Sequence, residues 1–82
     1  MKEKITIEVE VYMSLNFYLI SKYKKKPIII QAISGVRIND IREIIGLPSQ
    51  DLLAFINQQP RNLNMQLYED TKVSFFPILA GG

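Results

Sequence analysis

The chain has 82 residues, 48% of them hydrophobic and 22% charged, enough for one compact core and a single domain. It contains no Cys, His or Trp. That excludes a disulfide framework, a thiol nucleophile, a thiolate zinc site and imidazole acid–base or metal chemistry. Ten Lys and Arg against eight Asp and Glu leave a net charge of +2, too weak a field to argue for nucleic acid.

Met1-Lys2-Glu3-Lys4 runs straight into an alternating segment with no apolar signal core. The longest uninterrupted apolar stretch, Phe75 to Ala80, falls far short of the ~18 residues a membrane span needs. The expectation is a soluble, cytoplasmic protein with neither a nucleic-acid nor a membrane partner.

Ile5, Ile7, Val9 and Val11 alternate with Thr6, Glu8, Glu10 and Tyr12, a period of two that predicts a half-buried first strand. Ser14 is placed to cap a short helical turn in which Leu15, Tyr18 and Leu19 share one side. Lys22 to Lys26 reads as a loop closed by Pro27. Ile28 to Ile33 is apolar and β-branched and ends at Ser34-Gly35; it predicts a second strand, more buried than the first. Ile38, Ile41, Ile44 and Ile45 then follow helical spacing, with Arg42 and Glu43 on the outer side. Gly46 suits the left-handed position after the last turn, and Pro48 stops the helix from resuming. Its start is expected to fray, because Arg37 is a poor cap, although Asp40 suits the dipole of the first turn.

Leu52 to Asn57 predicts a third strand ending in a Gln58-Gln59-Pro60 turn. Leu63 to Leu67 suits a short edge strand, and Glu69-Asp70-Thr71 a turn. Val73 to Phe76 makes the last strand, with Val73 and Phe75 facing one way and Ser74 and Phe76 the other. The order is strand, strand, helix and further short strands, an α+β protein with its helix on one face of a mixed sheet. The expected division is a globular domain over residues 1–76 and a flexible C-terminal tail over residues 77–82.

Few residues could carry chemistry. Asp40 and Glu43 lie one turn apart, but a solvated first turn that suits the helix dipole explains them. Glu69 and Asp70 have no His with which to complete a metal site. The lysine run fits a solvated loop better than a phosphate site. None of these is assigned as a catalytic or metal-binding residue. Gly81-Gly82 admit two readings. One is a frayed terminus, where small residues cost nothing. In the other, two residues without Cβ atoms thread a narrow channel and offer the Gly82 carboxylate as the reacting group. A free carboxylate, with a pKa near ~3.5, is ionised and a poor electrophile, so such a tail would need a partner that activates it as an acyl-adenylate. Apolar Phe76, Pro77, Ile78 and Leu79 beside such a tail suggest a docking surface covered only in a complex.

The segment Phe75-Phe76-Pro77-Ile78-Leu79-Ala80-Gly81-Gly82 closely resembles the C-terminus of the ubiquitin-like sulfur carriers, the MoaD/ThiS family. Gly35 through Ile41 is similar to that family's helix start, and Gly46-Leu47-Pro48 to its helix end. Phe55 through Gln59 is similar to its third strand and turn. Arg37 stands where the family usually has Thr, and Glu69-Asp70-Thr71 replaces a typical Asp-Gly-Asp. The segment from Ser14 to Lys26 departs from the best-known members.

The resemblance implies a β-grasp fold and a carrier that is not itself an enzyme. It implies that Gly82 is adenylated by an E1-like adenylating enzyme, which uses ATP and Mg, while the carrier itself binds no cofactor. Sulfur from a persulfide donor would then give a thiocarboxylate at Gly82, with Gly81 and Ala80 threading the partner's channel. Phe76, Pro77, Ile78 and Leu79 would contact the partner. The acceptor would be the molybdopterin synthase large subunit or, as the alternative, thiazole synthase in thiamine synthesis. A different class of reading is a non-carrier ubiquitin-like modifier or interaction module.

Overall fold

The computed structural model describes residues 3–78. The first strand, β1, runs Lys4–Val11 and buries Ile5, Ile7, Val9 and Val11 on one face, as the alternation requires. A long connection follows, with 3₁₀ turns at Met13–Tyr18 and Ser21–Tyr23. Strand β2 spans Ile28–Ile33, β3 Val36–Arg37, and helix α1 Ile38–Ile45. Strand β4 is Leu52–Ile56, β5 Gln59–Arg61, β6 Gln66–Leu67, and β7 Thr71–Pro77.

Five strands form one mixed sheet in the order β2-β1-β7-β4-β5, and β3 pairs with β6 in a small separate ribbon. Only β1 and β7 run parallel within the large sheet. Ile38, Ile41 and Ile45 of α1 share one apolar cluster with Ile7, Val73, Phe75, Leu52 and Ala54. The helix thus covers one face of the sheet, and among the described residues nothing packs over the other.

Several expectations need correction. The second strand is less buried than the first, because β2 lies at the sheet edge; Ile28 and Ile30 are buried, whereas Ile29 and Ile33 are exposed. Ser14 caps nothing: the side chain that organises the first 3₁₀ turn is Asn16, which donates to the carbonyls of Val11 and Met13. Leu15 and Leu19 are buried there, but Tyr18 is exposed. Of the four helix isoleucines, Ile44 points to solvent, while Arg42 turns inward. Its guanidinium donates to the Leu47 carbonyl and to Asn39 Oδ1, each at 2.7 Å, and so clamps the end of the helix to the following loop.

The helix start is closed rather than frayed. Arg37 offers no acceptor, but its backbone N–H donates to the Asp40 carboxylate at 3.0 Å, half of a capping box. The amides of Ile38 and Asn39 donate to the carbonyls of Met65 and Leu63. A neighbouring loop thereby satisfies the free N–H groups that a side-chain cap would otherwise take.

The third strand turns earlier than its residues suggest. Asn57 and Gln58 both adopt positive φ and join β4 to β5 as a two-residue hairpin, with Ile56 opposite Gln59. Pro60, expected in the turn, lies within β5. Only Gln66 and Leu67 of the expected edge strand pair, against Val36 and Arg37.

Gly46 ends α1 at φ +95°, and a Cβ there would meet Ile20 Cγ1 at 2.8 Å and the Tyr18 carbonyl at 3.0 Å. The Ile20 amide donates to the Ile45 carbonyl at this same junction, so the 3₁₀ segment packs directly on the helix end. Gly46→Ala is expected to cost about 1–3 kcal/mol through backbone strain, with crowding against fixed main chain added. Urea denaturation checks this; an unchanged midpoint would mean that the helix can end without a left-handed residue.

Candidate functional site: the aromatic face beside the end of β7

The uncovered face of the sheet carries side chains that alternate with the core. From β1 come Glu8, Glu10 and, just past its end, Tyr12; from β7, Lys72, Ser74 and Phe76; from β4, Leu53 and Phe55. All of these but Glu8 line a shallow depression of about 630 Å³, together with Asn57 and Gln58 of the hairpin.

Its centre is aromatic. Tyr12 stacks on Phe76 with ring centroids 4.2 Å apart and planes within 4°, and Phe55 meets Phe76 edge-on at 5.2 Å. The register explains the cluster: Leu53 lies opposite Phe76 across β4–β7, and the Tyr12 amide donates to the Phe75 carbonyl. Such pairs add roughly 0.5–1.5 kcal/mol each beyond buried area, so the rings hold one another in place while their outer surfaces stay open. Leu53 is 44% exposed and Phe76 half-buried.

Beside the rings lies a polar cluster. Tyr12 Oη donates to Glu10 Oε1 at 3.0 Å and Ser74 Oγ donates to the same oxygen at 3.2 Å. Lys72 Nζ reaches Glu10 Oε2 at 3.3 Å and Glu8 Oε2 at 3.7 Å. The Tyr12 hydroxyl, followed by Lys72 and Ser74, holds the Glu10 carboxyl below its usual value, and the same Glu10 contact raises both Tyr12 and Lys72.

The lowered Glu10 value sets a sign. Its contribution to stability is present above the unfolded carboxylate pKa and lost as pH falls through the folded one. Glu10→Gln should therefore melt below the native chain near neutral pH, by a gap that closes on acidification past ~4. The cluster is exposed, so the gap should be small. A gap that persists in acid would mean that the carboxylate's charge is not what the cluster uses.

The residues singled out in the sequence fall as follows. Phe76 lies on the outer face, opposite Val73 and Phe75, which are fully buried. Pro77 is the last residue of β7, opposite Leu52, so the strand runs one residue further than its pattern suggests. The Ile78 amide donates to the Asp51 carbonyl at 2.9 Å, and its side chain is 47% exposed. Leu79, Ala80, Gly81 and Gly82, and with them the expected flexibility of the tail, lie outside the described residues.

Tyr12, Leu53, Phe55 and the Glu10–Lys72 pair were not singled out by their sequence positions. A usable signal exists for β4: Leu52 to Ile56 is apolar at every position, so whichever face packs on the helix, the other is apolar too. Among the described residues no cluster of His, Cys, Asp and Glu could hold a metal ion, and no helix is long and apolar enough to cross a membrane.

No family model matches the chain, and no curated protein is similar to it in sequence. The solved structure of SAMP1 from Haloferax volcanii is similar over 94% of this chain and 99% of that one, with a TM-score of 0.62 and 10% identity. At that identity the likeness is one of fold. Five mixed strands around one helix, matched over nearly the whole of both chains, give this chain the ubiquitin-like β-grasp fold.

Proposed function

We propose that this chain is a sulfur carrier whose Gly82 carboxylate is activated by an E1-like adenylating enzyme. The observation that carries the reading is the open aromatic face of Tyr12, Phe55 and Phe76, placed where β7 ends at Pro77. A partner seated on that face would lie beside Pro77, where β7 ends, and so close to the point from which the C-terminal residues continue. The β-grasp fold and the resemblance of residues 75–82 to the MoaD/ThiS carriers support it.

In this mechanism the carboxylate attacks the α-phosphate of Mg-ATP bound by the partner and pyrophosphate leaves. Persulfide sulfur then attacks the acyl carbonyl and AMP departs. Once a thiol has split the S–S bond, a thiocarboxylate remains at Gly82. Gly81 and Ala80 are small enough for a narrow channel, while Phe76, Pro77, Ile78 and Leu79 dock. The chain contributes the nucleophilic carboxylate and the docking surface; it is a co-substrate. The Phe-Phe-Pro ending favours the molybdopterin synthase large subunit as acceptor over thiazole synthase.

The test is ATP–pyrophosphate exchange by the adenylating enzyme encoded in the same genome. Exchange should require this chain. Its absence with every adenylating enzyme of that genome overturns the reading.

Phe76→Ala should weaken partner binding by about 2 kcal/mol or more, roughly 30-fold, as loss of a central aromatic anchor does. The cost to the fold should be about 1–3 kcal/mol, from the two ring contacts. Titration calorimetry beside thermal melting separates the two. An unchanged affinity would move the docking surface off this face.

A further inference from the structure

The two edges of the main sheet are protected very differently. At one edge, β5 is three residues long and holds Pro60 and Arg61, two of the usual devices that block strand addition. At the other, β2 is six residues long, reads Ile-Ile-Ile-Gln-Ala-Ile, and carries neither charge nor proline. Ile29 and Ile33 are 44% and 43% exposed.

The direction of its free backbone groups follows from the register. Ser34 N–H donates to the Glu3 carbonyl, which makes Ser34–Glu3 a hydrogen-bonded pair. In an antiparallel ladder such pairs alternate, so Ala32, Ile30 and Ile28 aim their N–H and C=O groups at β1. The Thr6 amide agrees, since it turns away from Gln31 to the Asp70 carboxylate. The outward-pointing backbone groups therefore belong to Ile29, Gln31 and Ile33.

We propose that a second copy of this chain pairs with β2 in antiparallel fashion, about a two-fold axis through Gln31. Residues directly opposite across an antiparallel pair share a face. The Gln31-centred register sets Gln31 against Gln31 of the second copy and Ile29 against its Ile33. All of these side chains lie on the exposed face, and all of their backbone groups point across the seam. No other two-fold register engages the outward groups of all three residues within β2.

The outer-face row that holds Ile29 also holds Glu8, and the row of Ile33 holds Lys4. The two-fold axis thus sets Glu8 of one copy in line with Lys4 of the other and opposes no like charges. The Thr6–Gln31 side-chain hydrogen bonds would continue across the axis as one polar row. Because β5 is blocked, pairing closes at two copies and does not propagate into a filament. The face around Phe76 and the end of β7 stay free, so the inference does not rest on the carrier reading.

A single strand seam is smaller than the ~1,200 Å² of a standard stable interface, so association should be concentration-dependent. Sedimentation of the native chain should show a mass rising from 9.5 kDa towards twice that value between about 10 and 1,000 μM. The double variant Ile29→Lys, Ile33→Lys sets lysine against lysine at exposed positions, and should stay monomeric, with association at least about 100-fold weaker, while melting as a folded protein.

The chain lacks Cys, so register can be read directly. Under a mild oxidant Gln31→Cys should form a covalent dimer, because hydrogen-bonded pairs have Cα atoms ~5.5 Å apart, within disulfide reach. Ile29→Cys alone should not, its two copies lying more than ~13 Å apart, whereas mixing Ile29→Cys with Ile33→Cys should. A mass fixed at the monomer value throughout, a dimer indifferent to the lysine pair, or cross-linking of Ile29→Cys with itself as readily as Gln31→Cys overturns the proposal.

Discussion

Removal of Gly82 is expected to abolish acceptance of sulfur while leaving the fold and its melting temperature essentially unchanged. Reach decides the outcome. The Ile78 amide is held by the Asp51 carbonyl, so the reach of the terminus is counted from Leu79. Four residues at about 3.3 Å each span at most ~13 Å, which leaves little slack between a docked β-grasp face and a buried reaction centre. Losing one residue withdraws the carboxylate by ~3 Å, and misplacement near ~1 Å already costs about a hundredfold in rate. It also moves Ala80, with its methyl group, into the position the channel would hold for glycine. Single-turnover assays of the truncated and native chains, beside their thermal melts, check this. Comparable rates would mean that Gly82 is not the reacting group.

Phe75→Ala should act on the fold alone. Phe75 is fully buried, opposite Val11 on β1 and Ala54 on β4, at the centre of the sheet and against the helix. Truncating such a ring costs about 3–5 kcal/mol in lost transfer energy and cavity. The whole stability of a chain this size is only about 4–12 kcal/mol. A large unfolded fraction at physiological temperature follows, readable in urea melts. The neighbouring Phe76→Ala should keep most of its stability and lose partner affinity. The reverse ranking would place the last strand one residue out of register.

These two phenylalanines show why part of the architecture is legible in the chain. Within β1 and β7 one face is buried and the other partly polar, so a period of two assigns each side chain. In β2 and β4 that contrast is missing. Consecutive apolar residues read as burial on both faces, yet β2 is an exposed edge and β4 contributes Leu53 and Phe55 to the open face. No local pattern distinguishes these outcomes, because strand order in the sheet decides them. Arg42 is similar. Helical spacing puts it beside the solvent face, and only the path of the loop through Leu47 supplies the carbonyl that draws it in. The helix start escapes the sequence for the same reason, its partners being Leu63 and Met65 rather than a capping side chain. Of the candidate site, Phe76 and Pro77 are visible as apolar residues before a glycine pair; Tyr12 joins them only through the parallel pairing of β1 with β7.

Intact-mass analysis of this chain after incubation with the adenylating enzyme of the same genome, Mg-ATP and a persulfide donor asks directly whether Gly82 carries sulfur. The carrier account predicts a mass increase equal to one oxygen-to-sulfur exchange, localised to Gly82 by fragmentation and absent without ATP. A chain that stays unmodified, or that is recovered joined through Gly82 to lysine side chains of other proteins with no sulfur incorporated, would contradict it.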